Sequence, residues 1–308
     1  MHLVARLLTG SLIARVVFQP LEESSRLYFS SLAAASSSSS SSTTDAKLDP
    51  KTPSSSSGIE DSLPAQPPPL SALAPCASYL RLVLLLQTHL ALIFTLLAPS
   101  FTTPLLHLLL GPKWSRTSTA PLILRAYAYS LPFMGMNGIT EAFFQAVASP
   151  RWIQRGAAWM VVCAGAFAAT CWVAVHVGGM GATGLIVANC VNMVLRTAFS
   201  TCFMVRYFSN ALSRADVAPR ADKEEEQDRR RRDQISAIRH TLNWRQWTPS
   251  LLTLSTFFLG GYACRRSETR WTARVMGGAA LSRWDEVAES GRHLGLGAGV
   301  GLLCLVSM

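Results

Sequence analysis

The chain of 308 residues is 49% apolar and only 15% charged, against roughly 25% charged in ordinary soluble domains. Its net charge of +10 would, in a soluble protein, direct attention to nucleic acid. Here Arg and Lys sit mainly between long apolar runs, as in the cytoplasmic connections of membrane proteins. Nucleic-acid binding is therefore set aside, and the lipid bilayer is the expected surrounding.

Residues 1–32 read as the tail end of a membrane helix followed by a loop, because Arg15 interrupts the apolar run that a signal peptide would need. Residues 33–75 hold "SSSSSSSTT" and "PAQPPPL" and read as a disordered Ser/Pro-rich linker with too little apolar surface to offset its ordering entropy. Residues 76–207 read as a four-helix membrane bundle with spans at 77–99, 119–147, 156–177 and 180–207. The apolar patch "PLLHLLLG" at 104–111 is too short to cross. As a helix, 119–147 is about 44 Å long at 1.5 Å per residue, longer than a hydrocarbon core of about 30 Å. It must tilt, protrude or break, and Pro132 is the expected break.

The stretch "GGMGATG" at 178–184 lacks the Lys-Ser/Thr ending of a phosphate loop and reads as a flexible turn into the next span. Residues 208–247, including "KEEEQDRRRR", read as a charged, solvated cytoplasmic loop. Residues 248–308 read as two C-terminal membrane helices, 248–264 and 294–308, with a connecting loop. The bias of Lys and Arg places the linker, the turn near Arg151 and Arg155, and the 208–247 loop on the cytoplasmic side.

Seven widely spaced cysteines form no C-x-x-C or Cys/His pattern, so neither a metal nor a disulfide framework is read from them. Nucleophile elbows, P-loops and His-Glu metal motifs are absent as well, and the chain is read as a non-enzyme without cofactor. The informative residues are polar ones inside apolar spans. Asn137, Glu141 and Gln145 recur at i, i+4 and i+8 on one helical face. Asn189, Asn192 and Arg196 form a second stripe, and Arg125 adds a cation near the start of its span. A charge at mid-membrane costs about 2.5 to 3.5 kcal/mol on translocon scales, so these stripes are expected to face each other or a wet cavity. Two readings stand. Glu141 and Arg196 form an interhelical pair with the Asn side chains as packing glue, or Arg125 and Arg196 line a hydrated cavity for an anionic head group such as phosphate.

The segments "FQPLEESSRLYFS" (18–30), "LRAYAYSLPFMGMNGITEAFFQAVAS" (124–149) and "GATGLIVANCVNMVLRTAFSTCFMVRYF" (181–208) together resemble the eukaryotic Rft family. These endoplasmic-reticulum membrane proteins are implicated in translocating dolichol-pyrophosphate oligosaccharide for N-glycosylation. The resemblance implies an all-α polytopic membrane protein. Its fold would be one lobe of the multidrug/oligosaccharidyl-lipid/polysaccharide exporter-like fold plus two C-terminal helices. The implied function is flippase-like movement of the glycolipid from the cytoplasmic to the lumenal side, or a non-transporting accessory role in its assembly. Dolichol-pyrophosphate oligosaccharide, the bilayer and other glycosylation-pathway membrane proteins are the implied partners.

By the same resemblance, Glu22, Glu23 and Arg26 fall in a helix-end motif. Arg125, Asn137, Glu141, Asn189, Asn192 and Arg196 fall in the expected substrate-binding set. Only the second half of the family pattern is present, so a fragment or an incomplete gene model is expected.

Overall fold

The computed structural model describes residues 16, 18–41, 70–217, 225–241, 243, 248–277 and 282–307, and among these the regular structure is helical throughout. In chain order the helices are α1 (Gln19–Ser41), α2 (Leu70–Leu92), α3 (Thr102–Leu110), α4 (Pro112–Arg116) and α5 (Ala120–Val147). They are followed by α6 (Pro150–Trp172), α7 (Ala182–Val217), α8 (Glu225–Thr241), α9 (Leu251–Trp271) and α10 (Arg283–Val306).

Local chemistry sets several of the boundaries. Pro sits in the first turn of α4, α5 and α6, where its missing N–H has no helical partner to lose. The Ser250 side chain accepts from Thr253 N at the start of α9, and Ser282 with Asp285 closes a capping box at the start of α10. Between α6 and α7 the "GGMGATG" turn places Gly179 and Gly181 at φ of 59° and 55°, a region that side-chain-bearing residues rarely adopt.

Three helical runs are long and apolar enough to cross a membrane: Ala72–Leu110, Pro150–Val177 and Ala182–Ala215. Leu82, Val161, Val162, Leu185 and Val205 on these runs are exposed, as side chains meeting lipid tails would be. The other three expected spans are helical too, in α5, α9 and α10, but more polar. Helix α5 carries Arg125, Asn137, Glu141 and Gln145, while α9 and α10 each have one strongly charged half.

Four boundaries differ from the sequence reading. The 104–111 patch is α3, which continues α2 through a π turn (Ile93–Leu97) and a 3-10 turn (Ala98–Phe101), so one run covers both. Helix α5 passes unbroken through Pro132, because packing against α1, α2 and α7 holds it on several sides. At the expected linker, α1 reaches Ser41 and α2 begins at Leu70, with Phe29 and Leu73 anchoring these helices in the core. The rest of the expected linker, 42–69, lies outside the described residues, as do residues 1–15 of the expected N-terminal tail. The charged 208–247 stretch is largely helical: α7 runs to Val217, and α8 follows. Ile235 and Ile238, three residues apart on α8, are buried in the main core against α2. Arg231 Nη2 donates to Ala215 O at 2.5 Å and so ties α8 to the end of α7.

The main core joins α1, α2, α5, α6, α7 and α8 around Phe143, whose ring meets Phe29 (5.1 Å, edge-on), Tyr207 (5.6 Å, edge-on) and Phe208 (5.6 Å, stacked). A smaller core joins the 93–101 segment to α9 and α10 through Leu97, Phe257, Cys264 and Cys304. There Gly260 fits against Val300, and a Cβ at 260 would sit 2.5 Å from Val300 Cγ1.

Candidate functional site

The geometry centres on Glu141. One helical turn on either side of it, Asn137 Nδ2 donates to Glu141 Oε2 at 3.1 Å and Gln145 Nε2 donates to Oε1 at 3.1 Å. From the facing helix α7, Arg196 Nη2 donates to Oε2 at 2.5 Å. The carboxylate is buried, and its lone pairs are met by three donors from two helices. The expected stripe on α5 and the expected cation on α7 do face each other. The network keeps spare capacity: Asn137 Oδ1 and Arg196 Nε are buried without a hydrogen-bond partner. Asn189 and Asn192 are half-buried further along the Arg196 stripe and make no side-chain hydrogen bond among the described residues.

The helix-end motif splits. Glu22 lies over α5, where a Cβ on Gly138 would stand 3.0 Å from its Oε2, and it lines a groove of about 250 Å³ with Phe18, Met134 and Gly135. Arg26 Nη2 binds Glu22 Oε1 at 3.1 Å, one turn along α1. Glu23 points away and accepts from Gln19 Nε2 at 3.1 Å on the exposed face. Glu22 thus lies against α5 beside Gly138, and Glu23 on the surface.

Arg125 does not join this network. It lies sixteen residues before Glu141 on the same helix, about 24 Å along the axis. Its partner is the Glu268 carboxylate of α9. Arg125 and Arg196 are therefore not assembled into one cationic cavity. Glu268 escapes the sequence reading, in which 265–293 is a connection after a span ending at 264. A signal was present: Phe257, Gly261, Cys264, Glu268, Trp271 and Val275 follow one another every three or four residues, a single helical face.

That end of the molecule holds further polar contacts which the sequence reading missed. His107 Nδ1 and Ser115 Oγ lie 2.8 Å apart, and His107 Nε2 and Glu286 Oε2 lie 3.4 Å apart, joining α3 and α4 to α10. Arg116 reaches both Val275 O (2.5 Å) and Glu286 Oε1 (3.5 Å). His293 bridges Ser267 Oγ at 2.8 Å and Ser100 O at 3.0 Å. Gln87 is fully buried against Gly135 with its amide directed at Pro132 O (3.5 Å). His89 is satisfied by Leu85 O at 2.6 Å. Among the described residues, no three His, Cys, Asp or Glu side chains are grouped to hold a metal ion.

Comparison with known proteins agrees with the motifs. The model of the Rft protein family matches residues 3–308. Over 199 residues, 65% of this chain, it is 33% identical to the Man(5)GlcNAc(2)-PP-dolichol translocation protein RFT1 of Eremothecium gossypii, covering 30% of that protein. The protein of the same name from Saccharomyces cerevisiae is 30% identical over 198 residues, 64% of this chain and 29% of its own length. The Drosophila melanogaster protein aligns over 298 residues at 24% identity, 97% of this chain and 40% of the fly protein. The chain thus spans about a third of the length of the curated relatives it matches. No solved structure matches it. With a family model running along nearly its whole length and relatives aligned from yeasts to fly, this chain belongs to the Rft protein family.

Proposed function

We propose that this chain takes part in moving dolichol-pyrophosphate-linked oligosaccharide from the cytoplasmic to the lumenal side of the endoplasmic-reticulum membrane, for N-linked protein glycosylation. Family membership and the names of the relatives support the substrate class. The chain acts here as a multi-pass membrane protein whose helices form one lobe of an exporter-like fold with two further C-terminal helices. It needs no cofactor and makes or breaks no covalent bond.

The observation that carries the reading is the polar seam between α5 and α7. A carboxylate, a guanidinium and four amide side chains line facing helices, one of which is long and apolar enough to cross a bilayer. Such groups persist in lipid surroundings only where they face the bundle interior or a wet path. At rest Glu141 neutralises Arg196. A pyrophosphate entering beside α7 competes with Glu141 for the guanidinium fork, while Asn189 and Asn192 offer amide donors one and two turns away. The exchange lets an anion enter without leaving either charge bare.

The test is reconstitution of this chain together with a separately expressed first half into vesicles carrying the lipid-linked oligosaccharide, with a sugar-binding protein added outside; the chain alone is expected not to move the glycolipid. Capture beyond the outer-leaflet share, lost when Glu141→Leu and Arg196→Met are combined so that no charge is left stranded, is the expected result. Binding without movement would replace transport by an accessory role in assembling the glycolipid. Absence of both binding and movement would overturn the proposal.

A further inference from the structure

The Arg125–Glu268 pair lies on the wall of a wide-open cavity, a surface groove of about 650 Å³, between α5, α9 and the start of α3. Thr103, Thr269, Thr272 and Met276 complete the part of the lining that matters here. The Glu268 side chain is 15% exposed and that of Arg125 39%, so the carboxylate is the more buried of the two.

Two features decide what such a wall recognises. The first is charge. Glu268 offsets Arg125, so the wall is neutral and an entering anion meets a carboxylate as well as a cation. The second is the direction of the hydroxyl groups. Thr269 Oγ1 donates to Arg266 O and Thr272 Oγ1 to Glu268 O, both at 2.8 Å. Each hydroxyl has spent its proton on its own helix and has only lone pairs left for a ligand. Glu268 adds a further acceptor, and Arg125 keeps several N–H donors in a planar fork. A wall of acceptors around one donor fork, with the Met276 thioether alongside, complements a neutral ligand whose hydroxyl groups donate and accept together.

We propose that the Arg125–Glu268 cavity binds the hydroxyl groups of a neutral saccharide. It is a site separate from the Glu141 network and is not a phosphate site. The identity of that saccharide as the sugar portion of a lipid-linked oligosaccharide rests on the functional reading above; the neutral polyol chemistry does not.

The experiment uses the purified full chain in detergent with two probes, a soluble oligomannose glycan and inorganic pyrophosphate. Binding is followed by saturation-transfer NMR. The glycan is expected to bind saturably and to be undisturbed by pyrophosphate. Thr272→Val keeps the shape but removes an acceptor, and about fivefold weaker glycan binding is expected. Glu268→Gln uncovers the Arg125 charge: the glycan should weaken at least as much, and Arg125-dependent pyrophosphate binding should appear.

Glycan binding equal to wild type in both variants overturns the proposal. So does a wild-type chain that takes pyrophosphate through Arg125 and ignores the glycan. If Glu268→Gln fails to fold, Thr272→Val alone decides. The vesicle assay separates the two readings. Glycan binding here without glycolipid movement leaves the site standing and removes transport, whereas movement with no glycan binding here does the reverse.

Discussion

Helix α5 carries a charged pair near each end, and the two pairs live in different surroundings. At Glu141 the partners are 11% and 26% exposed, next to the aromatic core around Phe143. At the other end, Arg125, Arg116, Arg274 and Arg292 are 38% to 75% exposed and bind Glu268, Glu286 and Glu289, which are 15% to 22% exposed, beside a core of a few side chains. The chemistry is the same, but its consequences differ. A buried pair cannot lose one member without leaving a bare charge, while an exposed one hands its survivor to water. The Glu141 end should therefore hold the helices together, and the Glu268 end should be free to adapt to a ligand.

The sharpest way to break this contrast is to remove one buried partner. Glu141→Ala should destabilise the chain by about 3–5 kcal/mol, because Arg196 is left uncompensated. Glu141→Leu combined with Arg196→Met should cost less than either single change, since no charge is then stranded. Thermal unfolding in detergent reads both. A Glu141→Ala chain that melts like wild type would show that the pair does not secure α5 to α7.

Next in size is the apolar support of the same end. Ile238→Ala removes a fully buried side chain from α8, at a cost of about 2–5 kcal/mol. Ala237, beside it, is exposed, so Ala237→Ser should change stability by no more than about 0.5 kcal/mol. Equal, negligible effects would return this stretch to the solvated loop that its charges alone imply.

That stretch also shows what was readable in advance. The stripes at Asn137, Glu141 and Gln145, and at Asn189, Asn192 and Arg196, were legible because helical spacing and the cost of charge in lipid both restrict where such residues point. Ile235 and Ile238 follow the same spacing, but only two apolar positions stand among Arg, Asp and Gln, and charge density dominated the reading. The pairing of Arg125 was not legible at all. Its partner lies 143 residues away, and helical periodicity gives the face of a residue but not which helix will meet it. Pro132 misled for a related reason: propensity is local, whereas the packing that keeps α5 continuous comes from three other helices.

The smallest effects are expected at the exposed end. Arg125→Gln should cost less than Glu141→Ala, because Arg125 is 39% exposed, although Glu268 itself is only 15% exposed. The Glu289 contacts are more redundant still. Arg274 Nη1 and Arg292 Nη1 share Glu289 Oε1 at 2.8 and 2.9 Å, so Arg274→Ala leaves the carboxylate paired. Its cost should be about 0.5 kcal/mol or less, and Glu289→Ala, which strips both guanidinium groups at once, should cost more than Arg274→Ala. Raising salt to about 1 M shortens the screening length to about 3 Å and should merge the two variants with wild type. The Glu141→Ala deficit should persist under the same salt, because a buried pair is screened far less. Salt that erased both deficits alike would mean that the two ends of α5 are equally open to water, and the contrast between them would fall.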